Sequence, residues 1–191
     1  MTDFEKNSCV LVKGFIDPQG IQTISKYMEY ALKQNEIKRT EDAITISYAR
    51  YADPLIETVL LNSLEHMEEI TGKKLHPTYS FFRVYVKGAI LKPHVDRPSC
   101  EVSVTVHVAT VGESWPIWMK VRGQEPMKCV LEPGDAVVYK GCEVTHWRDV
   151  ADKTEVNAQF MLHYVDQNGP NAKYKFDKRP ELGMAASTRS M

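Results

Sequence analysis

Between residues 102 and 108 the chain alternates without a break: Val102, Val104, Val106 and Val108 fall on one side, Ser103, Thr105 and His107 on the other. A period of two over that length predicts a β-strand with chemically different faces. The same period marks "YSFFRVYV" (79–86), which ends at a turn signalled by Gly88, and "WPIWMKV" (115–121). In "MKCVLEPGDAVVYKG" (127–141), Pro133-Gly134-Asp135 predicts a turn between two strands. "NAQFMLHYV" (157–165) is the last strand-like stretch.

Upstream the period lengthens. Ile21, Ile24, Met28, Ala31 and Leu32 recur at helical spacing, predicting a helix over 21–34. Asp53 before Pro54 pairs an N-cap residue with a proline suited to the first helical position. That helix is expected to run to Gly72, with Leu60, Leu64 and Met67 on its buried face. "VLVKGFI" (10–16) reads as a short strand leading into a turn, and "EDAITISYARYAD" (41–53) as a strand or an irregular loop. Helices followed by short strands with tight turns predict a mainly β protein with N-terminal helices, its strands closed or sandwiched around one core. The expected layout is one domain: supporting elements in 1–78, a β core in 79–165, and a polar tail in 166–191. The last eight or so residues of that tail are expected to be disordered, and Lys173, Lys175, Lys178 and Arg179 to be solvated.

Composition narrows the classes. Lys and Arg total 24 against 25 Asp and Glu, a net charge of -1, so no general attraction to nucleic acid is expected. No apolar run reaches the roughly 20 residues of a membrane helix, and acidic residues precede the short apolar stretch at the amino terminus. A cytoplasmic protein is the default expectation. Cys9, Cys100, Cys129 and Cys142 make no CxxC pair, and read as buried thiols rather than disulfides.

The candidate chemistry lies in "ILKPHVDRPSCEVSVTVHV" (90–108), where His94 and Asp96 stand two apart. In an extended segment both side chains leave on one side. Two imidazoles and one carboxylate on a rigid β scaffold suit Fe(II) and leave positions open for small molecules. His146, after the turn and apolar strand of "GDAVVYKGCEVTHWRDV" (134–150), is the candidate third ligand. His107 and His163 read as interior histidines able to border a pocket. His66 and His76 are not preferred as ligands. Trp115, Trp118 and Trp147 read as packing residues, with Trp147 placed to shield a metal.

Residues 80–163 resemble the catalytic core of the Fe(II)/2-oxoglutarate-dependent dioxygenases, on the prolyl-4-hydroxylase-like branch. The stretches that carry the resemblance are "FFRVYVKGAILKPHVDRPSCEVSVTVHV", "EPGDAVVYKGCEVTHWRD" and "NAQFMLHYV". It implies a double-stranded β-helix, a cupin-like jelly roll, with His94, Asp96 and His146 as the iron ligands. It also implies Fe(II), 2-oxoglutarate and O2 as reactants. Hydroxylation of an unactivated C–H would then be coupled to decarboxylation of 2-oxoglutarate to succinate and CO2. The substrate is a small molecule or a protein, and neither class nor oligomeric state is legible. Tyr85 matches a tyrosine that holds the cosubstrate carboxylate in similar enzymes, and reads equally as a packed strand aromatic.

One departure stands out. Where the family supplies Lys or Arg downstream of the distal histidine, this chain has Glu155, Val156 and Asn157. Arg148 is the nearest candidate for the far carboxylate, its guanidinium able to grip an anion bidentately. Its other reading is an ion pair with Asp149 or Asp152. Lys153 and Arg83 are the fallback cations. Two alternatives stay open: a cupin-like metalloenzyme that does not use 2-oxoglutarate, and a non-catalytic β-barrel binding module.

Overall fold

The computed structural model describes residues 1–184. Four helices, α1 (Asp3–Asn7), α2 (Pro18–Lys33), α3 (Pro54–Asn62) and α4 (Leu64–Thr71), accompany eleven strands. These are β1 (Cys9–Val12), β2 (Lys38–Glu41), β3 (Ile46–Tyr51), β4 (Leu75–Val86), β5 (Leu91–His94), β6 (Val102–Gly112), β7 (Ile117–Lys120), β8 (Met127–Cys129), β9 (Ala136–Lys140), β10 (Thr145–Arg148) and β11 (Thr154–Asp166). A seven-stranded sheet runs β1-β9-β6-β11-β4-β3-β2 and a four-stranded sheet runs β5-β10-β7-β8. Every pairing is antiparallel. The sheets remain separate rather than closing into one barrel.

The alternation of β6 acquires its meaning here. Val102, Val104, Val106 and Val108 join Phe82, Val84, Ala136, Val138, Phe160 and Leu162 in one cluster with Ile24, Met28, Ile56, Leu60 and Met67 of the helices. The opposite face is also buried: Ser103, Thr105 and His107 are all within 5% exposure. Those polar side chains belong to the interior that faces the small sheet. Helices thus close one face of the large sheet, and the other face is left for chemistry.

Several elements differ from the sequence expectation. The helix expected over 53–72 is two helices meeting at Ser63, whose backbone ends α3 and starts α4. α1 was not anticipated, although Thr2 and Glu5 form a reciprocal capping box at its start. The ambiguous 41–53 region supplies β3, and β2 pairs with it. The boundary drawn between 78 and 79 falls inside β4, and β1, β2 and β3 from the N-terminal part complete the large sheet. Arg179 is not solvated: it is buried, and pairs with Glu57 of α3 while donating to the Thr78 carbonyl at 3.1 Å. Of the segment expected to be disordered, residues 185–191 lie outside the described residues.

Candidate metal centre and active-site cavity

β5 and β10 are neighbours in register, with His94 opposite His146, so two distant histidines meet across one strand pair. Their ring centroids are 4.2 Å apart. Asp96 lies just past the end of β5, its amide donating to the Gly141 carbonyl at 2.8 Å. Asp96 Oδ1 is 3.8 Å from His94 Nε2 and 3.6 Å from His146 Nε2. One potential ligand atom from each of the three residues lies within 4.8 Å of the other two.

The backbone sets the histidine tautomers. His94 Nδ1 lies 2.8 Å from the Lys92 carbonyl and His146 Nδ1 3.0 Å from the Val144 carbonyl. A carbonyl can only accept, so each Nδ1 carries the proton and each Nε2 offers a lone pair. Ser103 Oγ donates to Asp96 Oδ2 at 3.0 Å, which leaves Oδ1 facing the imidazoles. Burial lowers the His146 pKa to about 4 and depresses that of His94. Burial also raises the Asp96 pKa to about 6, outweighing the Ser103 hydrogen bond and the nearby His94 and Arg97, which pull it down. Two neutral imidazoles and a buried carboxylate are a donor set suited to a divalent cation.

The three residues open onto a cavity of about 580 Å3 between the sheets. Tyr79, Phe81, Arg83 and Tyr85 from β4, Gln159, Met161 and His163 from β11, and Thr105 and Tyr139 line its large-sheet side. Arg83 is committed to Asp42 Oδ2 at 2.6 Å and to Ser47 Oγ at 2.9 Å. Arg97 forks onto Asp177, both nitrogens at 2.8 Å, with its guanidinium 4.6 Å over the Tyr79 ring. Tyr85 is buried edge-on against Trp115, with ring centroids 5.0 Å apart, and burial raises its pKa.

Arg148 points to the same side of β10 as His146 and is buried. It lies behind the cavity wall, donating to Gln159 Oε1 and the Trp115 carbonyl. Among the described residues it has no carboxylate partner, and burial lowers its pKa to about 10. The ion pair with Asp149 is not formed: Asp149 Oδ2 instead accepts from Trp118 Nε1 at 2.9 Å. Arg148 borders a small second cavity with His107, Thr110 and Asn157, and its Nε and the Asn157 Nδ2 are buried without partners among the described residues. Lys153 does not reach either cavity; it is an exposed side chain 3.5 Å from Glu113. Trp147 turns away from the His94–Asp96–His146 group and stacks on Trp118, 5.9 Å between centroids and 7° between planes.

Sequence reasoning missed Tyr139, whose hydroxyl lies 3.5 Å from His146 Nε2. It also passed over Ser103, which joins Asp96 to His163 Nδ1 at 2.9 Å. Both sit on the cavity-facing parity of their strands; the alternation of β6 already signals this for Ser103, while the uniformly apolar β9 gives no such signal for Tyr139.

No protein-family model and no curated protein matches the chain. Solved structures do. A Pseudomonas putida prolyl-4-hydroxylase superposes with a TM-score of 0.68 at 14% identity, covering 84% of this chain and 95% of that one. The non-heme α-ketoglutarate-dependent epimerase SnoN from nogalamycin biosynthesis gives 0.74 at 13% identity, covering 95% and 88%. A Trichoplax adhaerens prolyl hydroxylase in complex with a hypoxia-inducible-factor peptide fragment gives 0.70 at 11%, covering 86% of each chain. The chain has the fold of the Fe(II)/2-oxoglutarate oxygenase superfamily, two antiparallel sheets resembling its double-stranded β-helix core.

Proposed function

We propose that the protein is an Fe(II)- and 2-oxoglutarate-dependent dioxygenase that hydroxylates an unactivated C–H of a small molecule or protein side chain. The observation that carries this reading is the convergence of the His94 and His146 Nε2 atoms on Asp96 Oδ1, inside that fold and facing a cavity. His94, Asp96 and His146 would hold the iron on one side only, leaving open positions toward the cavity. When bound, iron and 2-oxoglutarate supply the oxidation, with the cosubstrate decarboxylated to succinate and CO2.

The residues of the chain do the rest. The Lys92 and Val144 carbonyls hold the imidazoles in the ligating tautomer, and Ser103 orients Asp96. Arg148 is the cation we assign to the far carboxylate of 2-oxoglutarate. Its charge has no carboxylate partner among the described residues, and its Nε, like Asn157 Nδ2, is a buried donor without an acceptor. Reaching that carboxylate requires Gln159 to release Arg148, and Tyr85 would stand beside the same anion. Arg83 and Arg97, each held by its own aspartate, serve as walls of the cavity.

The test is an anaerobic titration of Fe(II) and 2-oxoglutarate into metal-free protein, followed by visible absorption. A metal-to-cosubstrate charge-transfer band is expected, absent in His146→Ala and weakened in Arg148→Ala. Iron binding without a band would sink the 2-oxoglutarate reading in favour of a cupin-like metalloenzyme of other chemistry. No iron binding would leave a binding module.

A further inference from the structure

A second group of ligand-type side chains meets the same cavity on its large-sheet side. His163 lies in β11, with Tyr79 of β4 and Ser103 of β6 as its cross-strand neighbours. Cys100 ends the short 3-10 turn Pro98–Cys100, which carries the chain from β5 into β6. One donor atom each from Asp96, Cys100 and His163 lies within 4.8 Å of the other two, and all three residues line the cavity. Cys100 and His163 are buried, and neither has a part in the function proposed above.

The surroundings suit a thiolate and a neutral imidazole. The Tyr79 hydroxyl lies 3.0 Å from Cys100 Sγ, placed to donate to the sulfur once the thiol proton is gone. Ser99 Oγ, from the same turn, is a second hydroxyl beside it, buried without a partner among the described residues. Ser103 gives its one proton to Asp96 Oδ2, so in its 2.9 Å contact with His163 Nδ1 the imidazole is the donor. That leaves His163 Nε2 with a lone pair. What the group lacks is a positive centre, because Arg97 is already forked onto Asp177. A thiolate beside a carboxylate is costly inside a protein unless a cation joins them. Sulfur, nitrogen and oxygen donors together favour zinc-like metals.

We infer that Cys100, His163 and Asp96 form a second cation site, for a thiophilic divalent metal such as Zn(II), which competes with the His94–Asp96–His146 set for the carboxylate both use. Asp96 has Oδ1 facing the two imidazoles and Oδ2 toward Ser103. Drawing it to Cys100 takes the one anionic ligand from the histidine pair. Zinc at this site therefore acts as a brake on any metal held by His94 and His146. The site itself does not depend on 2-oxoglutarate chemistry.

The full chain, reduced and freed of metal, is titrated with Cd(II), a zinc analogue whose bond to a thiolate absorbs in the ultraviolet. A thiolate-to-metal band is expected in wild type, lost in Cys100→Ser and kept in Cys142→Ser. His163→Gln should weaken Cd(II) binding at least about tenfold, no less than the loss of a supporting partner costs a metal site. His146→Ala should keep the band, since it breaks only the other set. Loading wild type first with Co(II), followed by its visible bands, should raise the Cd(II) concentration needed for the thiolate band. Metal-free Cys100→Ser and His163→Gln should unfold within a few degrees of wild type, and if one of them does not fold the other decides. No band, or a band that survives Cys100→Ser, overturns the inference. So does loss of the band in His146→Ala, which would put the sulfur into the first set. A band indifferent to Co(II) overturns the competition for Asp96. Wild type that shows the thiolate band but takes no Fe(II) with 2-oxoglutarate loses the proposed function and keeps this site.

Discussion

Gly141 runs beneath Asp96, and a Cβ there would meet the Cys100 carbonyl at 2.1 Å, Asp96 Oδ2 at 2.7 Å and Ser103 Oγ at 2.8 Å. None of these is the end of a long flexible side chain. Gly141→Ala is therefore expected to displace Asp96 and weaken Co(II) binding by at least about tenfold, with stability lowered by about 1–3 kcal/mol in urea titrations. Unchanged metal affinity would show that Asp96 has more freedom than its contacts imply. The pH dependence expected of the proposed metal site is also set at this scale. With the Asp96 pKa near 6, metal must displace its proton below that value, whereas His146, near 4, is already neutral there. Co(II) affinity should level off above pH 6 and fall about tenfold per pH unit as the pH drops below it. A flat profile from pH 8 to pH 5 would contradict the assigned environment of Asp96. That His94, Asp96 and His146 come together was legible, because strand parity and the second strand's histidine point to one place. Tyr139 was not, because in "AVVYK" it reads as one more apolar strand residue and nothing local reveals the histidine it faces.

At the scale of elements, Asp53 does more than its N-cap position implied. Its Oδ1 accepts from the Leu55 amide at 3.0 Å and the Ile56 amide at 3.2 Å, while Oδ2 accepts from the Tyr27 hydroxyl of α2 at 2.5 Å. One carboxylate thus caps α3 and ties it to α2. Asp53→Ala should cost about 2 kcal/mol or more, beyond an ordinary cap because the Tyr27 hydroxyl also loses its acceptor. Urea unfolding measures the loss, and Co(II) affinity should stay as in wild type, since these helices pack on the far side of the large sheet. The start of α3 was readable because Asp-Pro is a local signal. The break at Ser63 was not, since apolar spacing continues through it from Leu60 to Leu64 and Met67. β2 has no clear pattern because "KRTE" pairs only with β3 at the sheet edge and buries none of its residues fully. Strand β6 was read correctly as two-faced, but the destination of its polar face depends on a second sheet that arrives later in the chain.

For the molecule as a whole, the C-terminal segment closes the structure through charge. Arg179 and Glu57 are paired with side-chain exposures of 3% and 2%, and Arg179 also donates to the carbonyls of Phe176, Thr78 and Met184. Breaking one side leaves the other charge buried. Arg179→Met should therefore destabilise the protein by about 3–5 kcal/mol, and adding Glu57→Gln should restore part of that loss. Thermal or urea unfolding of the two variants decides it: a double variant no better than the single would mean that packing, not the stranded charge, sets the cost. The sequence could not reveal this contact, because a tail arginine among lysines looks solvated until its partner, in a helix near the start of the chain, is known.

β11 lies between β6 and β4 in the middle of the large sheet, yet it is the last strand among the described residues. On the ribosome, everything up to residue 153 can emerge while β4 and β6 still present open edges to each other and to other nascent chains. Unpaired edges of this kind template aggregation. Synthesis arrested there should yield a protease-sensitive, chaperone-held species, and release of the complete chain should convert it to a resistant one. Resistance before residue 154 emerges would show that the sheet can close without its central strand. Translation of residues 154–166 would then be the step that commits the large sheet to close, and a chain broken off inside β11 would be as damaged as one broken off far earlier.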